Sequence, residues 1–400
     1  MRERPPLEVA DLIREHGAEF RRTHGRSPAQ DRVLSALVQC RTSALGGHVE
    51  ECNRCGERQV AYNSFRNRHC PKCQGREAAE WVEAQREHLL PVPYVHVVFT
   101  LPQILAPLAL QNPRVVYNLL FQAVSRTLLD VAAEERHLGA RIGFLAILHT
   151  WGQRLNHHPH LHCVVPAGGL SVDGSRWIHC RPTFFLPVRV LSQLFRGKVL
   201  AQLQKAHDDG RLCLRGNLRP LVEPQAFRRM LIQARAKEWV VYAKPPFGGP
   251  DQVLKYLARY THRIAISNRR LVSLEQGVVT FRYKDYARGG QSRTLRLEAH
   301  EFLRRFLVHV LPKGFVRIRR YGLLANAQRR KNLARCLELL EAGEPQEPAP
   351  VPTSADTSEA EMCETPSDPY PCPSCQGGQM ERIRILAPLH EARPPPTFVG

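Results

Sequence analysis

The sequence predicts an α+β protein in which a large domain of strands and helices follows a small cysteine-rich module. Two observations favour this class. Short runs of β-branched and aromatic residues alternate with longer stretches of helical apolar spacing. Closely spaced cysteine pairs precede those runs. The chain has 400 residues, of which 43% are hydrophobic, so one large core and one or two small modules are expected.

The N-terminal segment, residues 1–47, has the apolar spacing of helices. Its charged, proline-containing start lacks the apolar core of a signal peptide, so we expect a cytoplasmic protein. The most apolar stretch, residues 89–110, is interrupted by prolines, and it therefore predicts no membrane span.

The charge of the chain predicts a polyanionic partner. The formal net charge is +20 and the isoelectric point is about 9.9. A soluble protein this basic usually meets nucleic acid, and arginine matches phosphate geometry well.

Two Cys-x-x-Cys pairs predict a structural Zn²⁺ site in a module at residues 48–80. The pairs are Cys52 with Cys55 and Cys70 with Cys73, separated by a length typical of zinc ribbons. His48 and His69 are alternative ligands near these pairs.

The segment between the two cysteine pairs is basic. Arg66 and Arg68 lie in it and are predicted to contact DNA. A solvated charged loop is an equally good interpretation of the same residues.

The C-terminal segment, residues 341–400, is rich in Glu, Pro, Ser and Thr, a composition typical of a disordered tail. It contains a further pair, Cys372 and Cys375, without an obvious second pair. Cys336 and Cys363 are the candidates to complete a second zinc site, because two thiolates alone do not hold zinc.

Residues 90–325 are predicted to form the main domain. Strand-like runs are followed by turn signals or by helical spacing throughout this region. The predicted strands are 94–100, 142–149, 160–165, 239–243, 270–275, 278–284 and 292–298. The predicted helices are 104–137 with a break near Pro113, 188–207, 224–237, 251–262 and one from 300.

A histidine-rich strand within this domain predicts a metal site. Alternate side chains of a strand share a face, so His160 and His162 point together while Leu161 and Cys163 point into the core. Two imidazoles on one face of a buried strand are ready ligands for a metal ion. Satisfied histidines on a polar edge strand are the alternative interpretation.

The sequence does not identify the third ligand of such a metal site. Gln153, at the end of the preceding strand, would supply an oxygen if it faced residue 160 across the connection. Two nitrogens and one oxygen with open positions suit Mg²⁺ or Mn²⁺. His149 and His158 are weaker candidates.

The predicted helix at residues 251–262 carries two tyrosines one turn apart. Tyr256 and Tyr260 are four residues apart and so lie side by side. Basic neighbours suited to phosphate flank them at Lys255, Arg259 and Arg263. A tyrosine phenol attacks a phosphodiester when it loses its proton and the phosphate charge is neutralised, for example by a metal. An amphipathic helix with two half-buried tyrosines is the ordinary alternative.

These motifs together resemble a known family. His160-Leu161-His162 has the "HUH" pattern of two histidines flanking a hydrophobic residue, and with Tyr256 and Tyr260 it resembles the two-tyrosine HUH transposases of the insertion sequence 91 family. The resemblance covers roughly residues 10–325 and includes further motifs at 62–64, 66–74, 99–102 and 260–268. One position departs from the pattern, since Phe65 stands where many relatives have cysteine.

The resemblance implies a fold and an activity. The fold would be an antiparallel-sheet HUH endonuclease domain flanked by helices, with a zinc-ribbon-like module before it. The activity would be nicking and rejoining of single-stranded DNA at mobile-element ends by a rolling-circle route. His160 and His162 would bind Mg²⁺ or Mn²⁺, Tyr256 and Tyr260 would be the nucleophiles, and the four N-terminal cysteines would hold Zn²⁺.

Other function classes stay open at this point. A replication initiator or relaxase would share the chemistry, but such proteins usually carry a helicase, and the sequence has no phosphate-loop motif. Unwinding would then need host helicase or replication proteins. A zinc-ribbon DNA-binding protein without catalysis would explain the charge and the cysteines only. An ordinary metallohydrolase would form no covalent DNA adduct.

Overall fold

The computed structural model describes residues 6–73, 81–244, 246, 249–250, 252–254, 265–342, 370–375 and 377–389. Within these ranges the protein has an α+β fold with antiparallel sheets, which confirms the predicted class. The helices longer than one turn are α1 (Val9–Thr23), α2 (Pro28–Gln39), α3 (Ala106–Gln111), α4 (Pro113–Ala133), α5 (Val188–Asp208), α6 (Pro224–Ala236), α7 (Ala299–Leu307) and α8 (Arg329–Glu341).

The strands in the described ranges form several antiparallel sheets. The central sheet has five strands, β3 (Tyr94–Thr100), β4 (Gly143–Trp151), β5 (His157–Pro166), β8 (Val241–Ala243) and β12 (Ile318–Gly322). Their order is β12-β4-β5-β3-β8, which places β4 and β5 in the interior. A small hairpin joins β6 (Gly168–Leu170) to β7 (Trp177–His179).

The central sheet is buried on both faces. Leu148, Leu161 and Cys163 point to one face and belong to the largest apolar cluster, which also contains residues of α4, α5 and α6. Leu145, Ile147 and Val164 belong to a second cluster on the opposite face, together with residues of α8. The register of β4 against β5 therefore determines which face of the sheet, and so which of the two apolar clusters, each side chain of these strands lies on.

A second sheet joins the C-terminal half of the main domain to the N-terminal helices. It consists of β9 (Leu271–Glu275), β10 (Val278–Asp285) and β11 (Gln291–Glu298). Its buried face, α7, α1 and α2 share one apolar cluster. The predicted division between a helical segment at 1–47 and a domain at 90–325 therefore does not correspond to separate cores.

A third sheet contains strands from both ends of the chain. Its order is β13-β14-β1-β2, with β1 (Gly47–Cys52), β2 (Arg58–Tyr62), β13 (Tyr370–Pro371) and β14 (Gln379–Leu386). This corrects the prediction of a disordered tail for the described part of residues 370–389. The Glu, Pro, Ser and Thr residues that suggested disorder lie mainly before residue 370. In the described part of the tail, Met380 and Cys372 are buried.

No helix in the described ranges is both long and apolar enough to cross a membrane.

Two glycines offer a matched test of the fold. Gly322 ends β12 at φ +59°, and a Cβ there would lie 2.0 Å from the carbonyl oxygen of Ile142. Gly197 lies inside α5 with open space around its Cα. We expect Gly322→Ala to lower the free energy of unfolding by more than about 1 kcal/mol, whereas Gly197→Ala should raise it by roughly 0.5–1 kcal/mol. Urea unfolding measures both, and equal effects of the two substitutions would contradict this chain path.

Candidate metal centre

Strands β4 and β5 bring three imidazoles together on one face of the central sheet. His149 lies directly opposite His160 in the strand register, and Ile147 lies opposite His162. One ring nitrogen from each of the three histidines lies within 4.8 Å of the other two. The ring centroids are 4.5–5.5 Å apart. We call His149, His160 and His162 the histidine triad.

The strand geometry explains why these rings converge. Side chains two apart on β5 share a face, and the residue opposite on β4 joins them. The intervening Leu161 is fully buried in the core on the other face. The pairing shifts between His149 and Trp151, so the strand bends just beyond the triad. The His149 ring stacks on Trp151 with centroids 4.7 Å apart.

Hydrogen bonds orient two of the three rings. Nδ1 of His160 lies 2.7 Å from the carbonyl oxygen of His158. A neutral imidazole that donates from Nδ1 carries its lone pair on Nε2, the form that binds metals. Nδ1 of His162 lies 2.9 Å from Nε2 of His96 on the neighbouring strand β3, and the two rings are stacked.

His96 is a buried support that sequence reasoning did not identify. Burial lowers the pKa of His96 to about 3, and the charges of Lys244 and His160 add to the effect. A neutral His96 has one donor and one acceptor nitrogen, and so it fixes the ring of His162 without adding charge to the site. In the sequence, the place of His96 within the predicted strand 94–100 is the feature that indicates where its side chain lies.

The structure changes the predicted ligand set. His160 and His162 lie together as expected, but Gln153 lies elsewhere, with its side-chain oxygen 3.5 Å from the backbone nitrogen of Lys284. Its backbone carbonyl accepts a hydrogen bond from Arg270. The structure therefore places the Gln153 side chain beside β10, and Gln153 as third ligand stays a prediction. His149, the weaker candidate from the sequence, lies with His160 and His162.

Only the first turn of the predicted tyrosine helix belongs to the described residues. Val253 is fully buried and shares an apolar cluster with Leu145, Ile147 and Val164. Ile147 pairs with His162, so this cluster covers the sheet face that carries the histidine triad. Tyr256 and Tyr260, with Lys255, Arg259 and Arg263, lie outside the described residues.

The N-terminal cysteines divide into two groups. Cys70 and Cys73 lie with Cys40, which belongs to no Cys-x-x-Cys pair, whereas Cys52 and Cys55 lie with Cys372 and Cys375. The prediction that Cys52, Cys55, Cys70 and Cys73 surround one ion is therefore corrected. Sequence spacing shows which thiols form a local pair, but it does not show which pairs meet in space.

The group of Cys40, Cys70 and Cys73 is buried in the cluster that joins α1 and α2 to β9–β11. Sγ of Cys40 lies 3.0 Å from Sγ of Cys73. Hydrogen bonds from the thiols of Cys40 and Cys70 hold the pKa of Cys73 far below its usual range. A buried group of thiols with one favoured as thiolate fits the chemistry of a structural zinc site.

The two arginines between the predicted pairs have different surroundings. Arg68 donates a hydrogen bond of 2.9 Å to the carbonyl oxygen of Phe315, and burial lowers its pKa. This hydrogen bond joins the cysteine-rich module to the main domain, and the DNA contact of Arg68 stays a prediction. Arg66 is exposed, and it lines a groove of about 580 Å³ together with Arg68, Arg32 and Lys313.

Comparisons with known proteins match transposase families both to the region with the central sheet and to the region with the cysteine-rich module. Residues 143–332 match a family described as "Putative transposase", and residues 12–101 match one described as "Transposase zinc-binding domain". The "Putative transposase y4qJ" of Sinorhizobium fredii (strain NBRC 101917 / NGR234) is 54% identical over 382 residues, 95% of each chain. The "Transposase for insertion sequence element IS801" of Pseudomonas savastanoi pv. phaseolicola is 29% identical over 373 residues, 89% of this chain and 84% of that one.

A histidine-bearing antiparallel sheet and a cysteine-rich module, each matching a transposase domain, define a DNA transposase. The chain belongs to the insertion sequence 91 family of transposases, which implies a DNA-cleaving activity and structural zinc.

Two substitutions distinguish the histidine triad from the ligand set expected from the sequence. His149→Ala should weaken Mn²⁺ binding by at least about 10-fold, the loss typical even of residues that only support a ligand. Gln153→Ala should leave the affinity unchanged, because its side chain faces Lys284. Isothermal titration calorimetry with Mn²⁺ measures both, on variants whose thermal unfolding matches that of the wild type. Weaker binding by the Gln153 variant alone would exclude the triad.

Proposed function

We propose that this transposase nicks and rejoins single-stranded DNA at the ends of its mobile element through a 5′-phosphotyrosine intermediate. The observation that carries the proposal is the histidine triad on the sheet face where the tyrosine helix begins. This arrangement supports a nucleophile and a phosphate-binding metal on the same surface. The route would be rolling-circle transposition, as the resemblance implies.

The donor set of the triad fits a divalent ion. Three imidazole nitrogens converge, and two of the rings have hydrogen-bonded partners that set their orientation. Mg²⁺ demands oxygen ligands, whereas first-row ions accept imidazole nitrogen, so Mn²⁺ is the better fit of the two expected ions. When bound, the ion would neutralise charge on the phosphate oxygens. His96 and the His158 carbonyl would hold the ligand rings in place.

Tyr256 and Tyr260 are the proposed nucleophiles. In the predicted helix they follow Val253 by three and seven residues, so they fall on the side of the helix next to it. Val253 is buried in the cluster that covers the triad face of the sheet. Continuation of the helix would therefore carry both phenols along that face.

The proposed reaction conserves one phosphodiester bond at each step. The Tyr256 or Tyr260 phenol loses its proton, its oxygen bonds to phosphorus, and the bond from phosphorus to the 3′ oxygen breaks. The 3′ oxygen leaves as a free hydroxyl after taking up a proton. Rejoining reverses this step, because a 3′ hydroxyl attacks the phosphotyrosine and releases the phenol. Two tyrosines one turn apart would hold two DNA ends or act in turn.

Basic residues would position the DNA strand. Lys255, Arg259 and Arg263 would flank the tyrosines, and the exposed Arg66 would extend the basic surface along its groove. The net charge of +20 favours a salt-sensitive interaction with phosphates. The protein would act in the cytoplasm on nucleoid DNA, with host helicase or replication proteins opening the duplex.

The alternatives use fewer of the observed features. A zinc-ribbon DNA-binding protein without catalysis would leave the histidine triad without a role. A replication initiator or relaxase would use the same chemistry on another DNA substrate. Matches to transposases over nearly the whole chain favour mobile-element ends as the substrate.

A covalent-adduct assay tests the proposal. The full-length protein with Mn²⁺ and labelled single-stranded DNA from its element ends should give a protease-sensitive adduct on a denaturing gel. Tyr256→Phe with Tyr260→Phe should abolish the adduct, since phenylalanine has no nucleophilic oxygen, while DNA binding persists. Tyr286→Phe is the matched control, because Tyr286 is 61% exposed on a turn after β10 and should have no effect.

Three outcomes would contradict the proposal. An adduct that persists in the double variant would assign the nucleophile elsewhere. Cleavage without an adduct would indicate a hydrolase. DNA binding with neither cleavage nor adduct would leave only a DNA-binding role.

A further inference from the structure

The C-terminal tail supplies half of a four-cysteine cluster whose other half lies more than 300 residues earlier. Cys52 is the last residue of β1 and Cys55 follows the strand, whereas Cys372 and Cys375 lie between β13 and β14. The four Sγ atoms lie within 4.8 Å of one another. The matched zinc-binding domain ends at residue 101, so it does not include the tail pair. We propose that these four cysteines bind a second structural Zn²⁺ that fastens the C-terminal tail to the N-terminal module.

The sulfur positions fit tetrahedral zinc. Sγ of Cys52 lies 3.7 Å from Sγ of Cys375, and Sγ of Cys55 lies 3.7 Å from Sγ of Cys372. With zinc–sulfur bonds of about 2.3 Å, the sulfurs of a tetrahedral site lie about 3.8 Å apart. A disulfide needs sulfurs about 2 Å apart, so neither cross-pair is bonded in this arrangement.

The two cysteine turns have matching backbone geometry. In the first, the backbone nitrogens of Arg54 and Cys55 lie 3.4 and 3.5 Å from Sγ of Cys52. In the second, the backbone nitrogen of Ser374 lies 3.4 Å from Sγ of Cys372. Backbone N–H groups that point at sulfur favour the thiolate, which is the form that binds zinc.

Strand pairing brings the two turns into register. β14 runs antiparallel to β1 from Gly47 opposite Leu386 to Cys52 opposite Met380. Asn53 extends this pairing, because its side chain donates to Glu381 and accepts from the backbone nitrogen of Gln379. The tail strand is therefore an integral member of the sheet, with β1 between β2 and β14.

Gly378 shows how closely the two ends approach. A Cβ on Gly378 would lie 2.4 Å from Sγ of Cys52, well inside van der Waals contact. Only glycine therefore allows the tail to pass this close to the sulfur. Without the tail, Cys52 and Cys55 would form half a tetrahedral site, which does not hold zinc alone.

Zinc content of the full-length protein tests the proposal. Cys372→Ser with Cys375→Ser should contain one equivalent of zinc less than the wild type by elemental analysis. Cys52→Ser with Cys55→Ser should lose the same equivalent, and combining all four substitutions should cause no further loss. Cys213→Ser is the matched control, because Cys213 is exposed and outside both cysteine clusters. Unchanged zinc in the tail variant would overturn the proposal.

A second measurement avoids reliance on variants that fold poorly. A protease site inserted within residues 343–369 allows the purified protein to be cut after folding. The tail fragment should co-elute with the body in the presence of Zn²⁺ and separate after chelation. The Cys372→Ser, Cys375→Ser fragment should separate even with Zn²⁺. Identical retention of the wild-type and variant fragments would refute a zinc-dependent fastening.

Discussion

The antiparallel pairing of β4 with β5 determines where the three imidazoles of the histidine triad lie. It sets His149 opposite His160 and places His162 two residues further along the same face. A slip of one residue would turn every side chain of one strand to the other face, so Leu148 would replace His149 among the imidazoles. The register is fixed because both faces of the sheet are buried against different apolar clusters. The packing of the core therefore also positions the three imidazoles of the proposed metal site.

Burial of this sheet shapes the electrostatics of the site. His96 is held neutral by burial and contacts His162, while the His158 carbonyl contacts His160. The apolar cluster that includes Val253 covers the same face. The N-terminal helices and the β9–β11 sheet share a core with Cys40, Cys70 and Cys73. The cysteine-rich module is thus built into the transposase domain, and Arg68 reinforces the contact through Phe315.

Local patterns in the sequence predicted much of the fold and part of the site. The strand at 94–100 and the convergence of His160 and His162 follow from side-chain alternation, which any short segment reveals. Partners distant in sequence were harder to predict. The position of His149 beside His160 depends on the register of β4 against β5. The joining of Cys52 and Cys55 to the tail depends on β1–β14 pairing across more than 300 residues, which spacing rules do not encode.

We propose that three imidazoles from β4 and β5 surround one divalent ion on the face covered by the apolar cluster that includes Val253. Pulsed electron paramagnetic resonance of the Mn²⁺-loaded protein counts the nitrogen ligands directly. Three histidine nitrogens are expected in the wild type, two in His149→Ala and three in Gln153→Ala. Two nitrogens in the wild type, with none lost in His149→Ala, would contradict it.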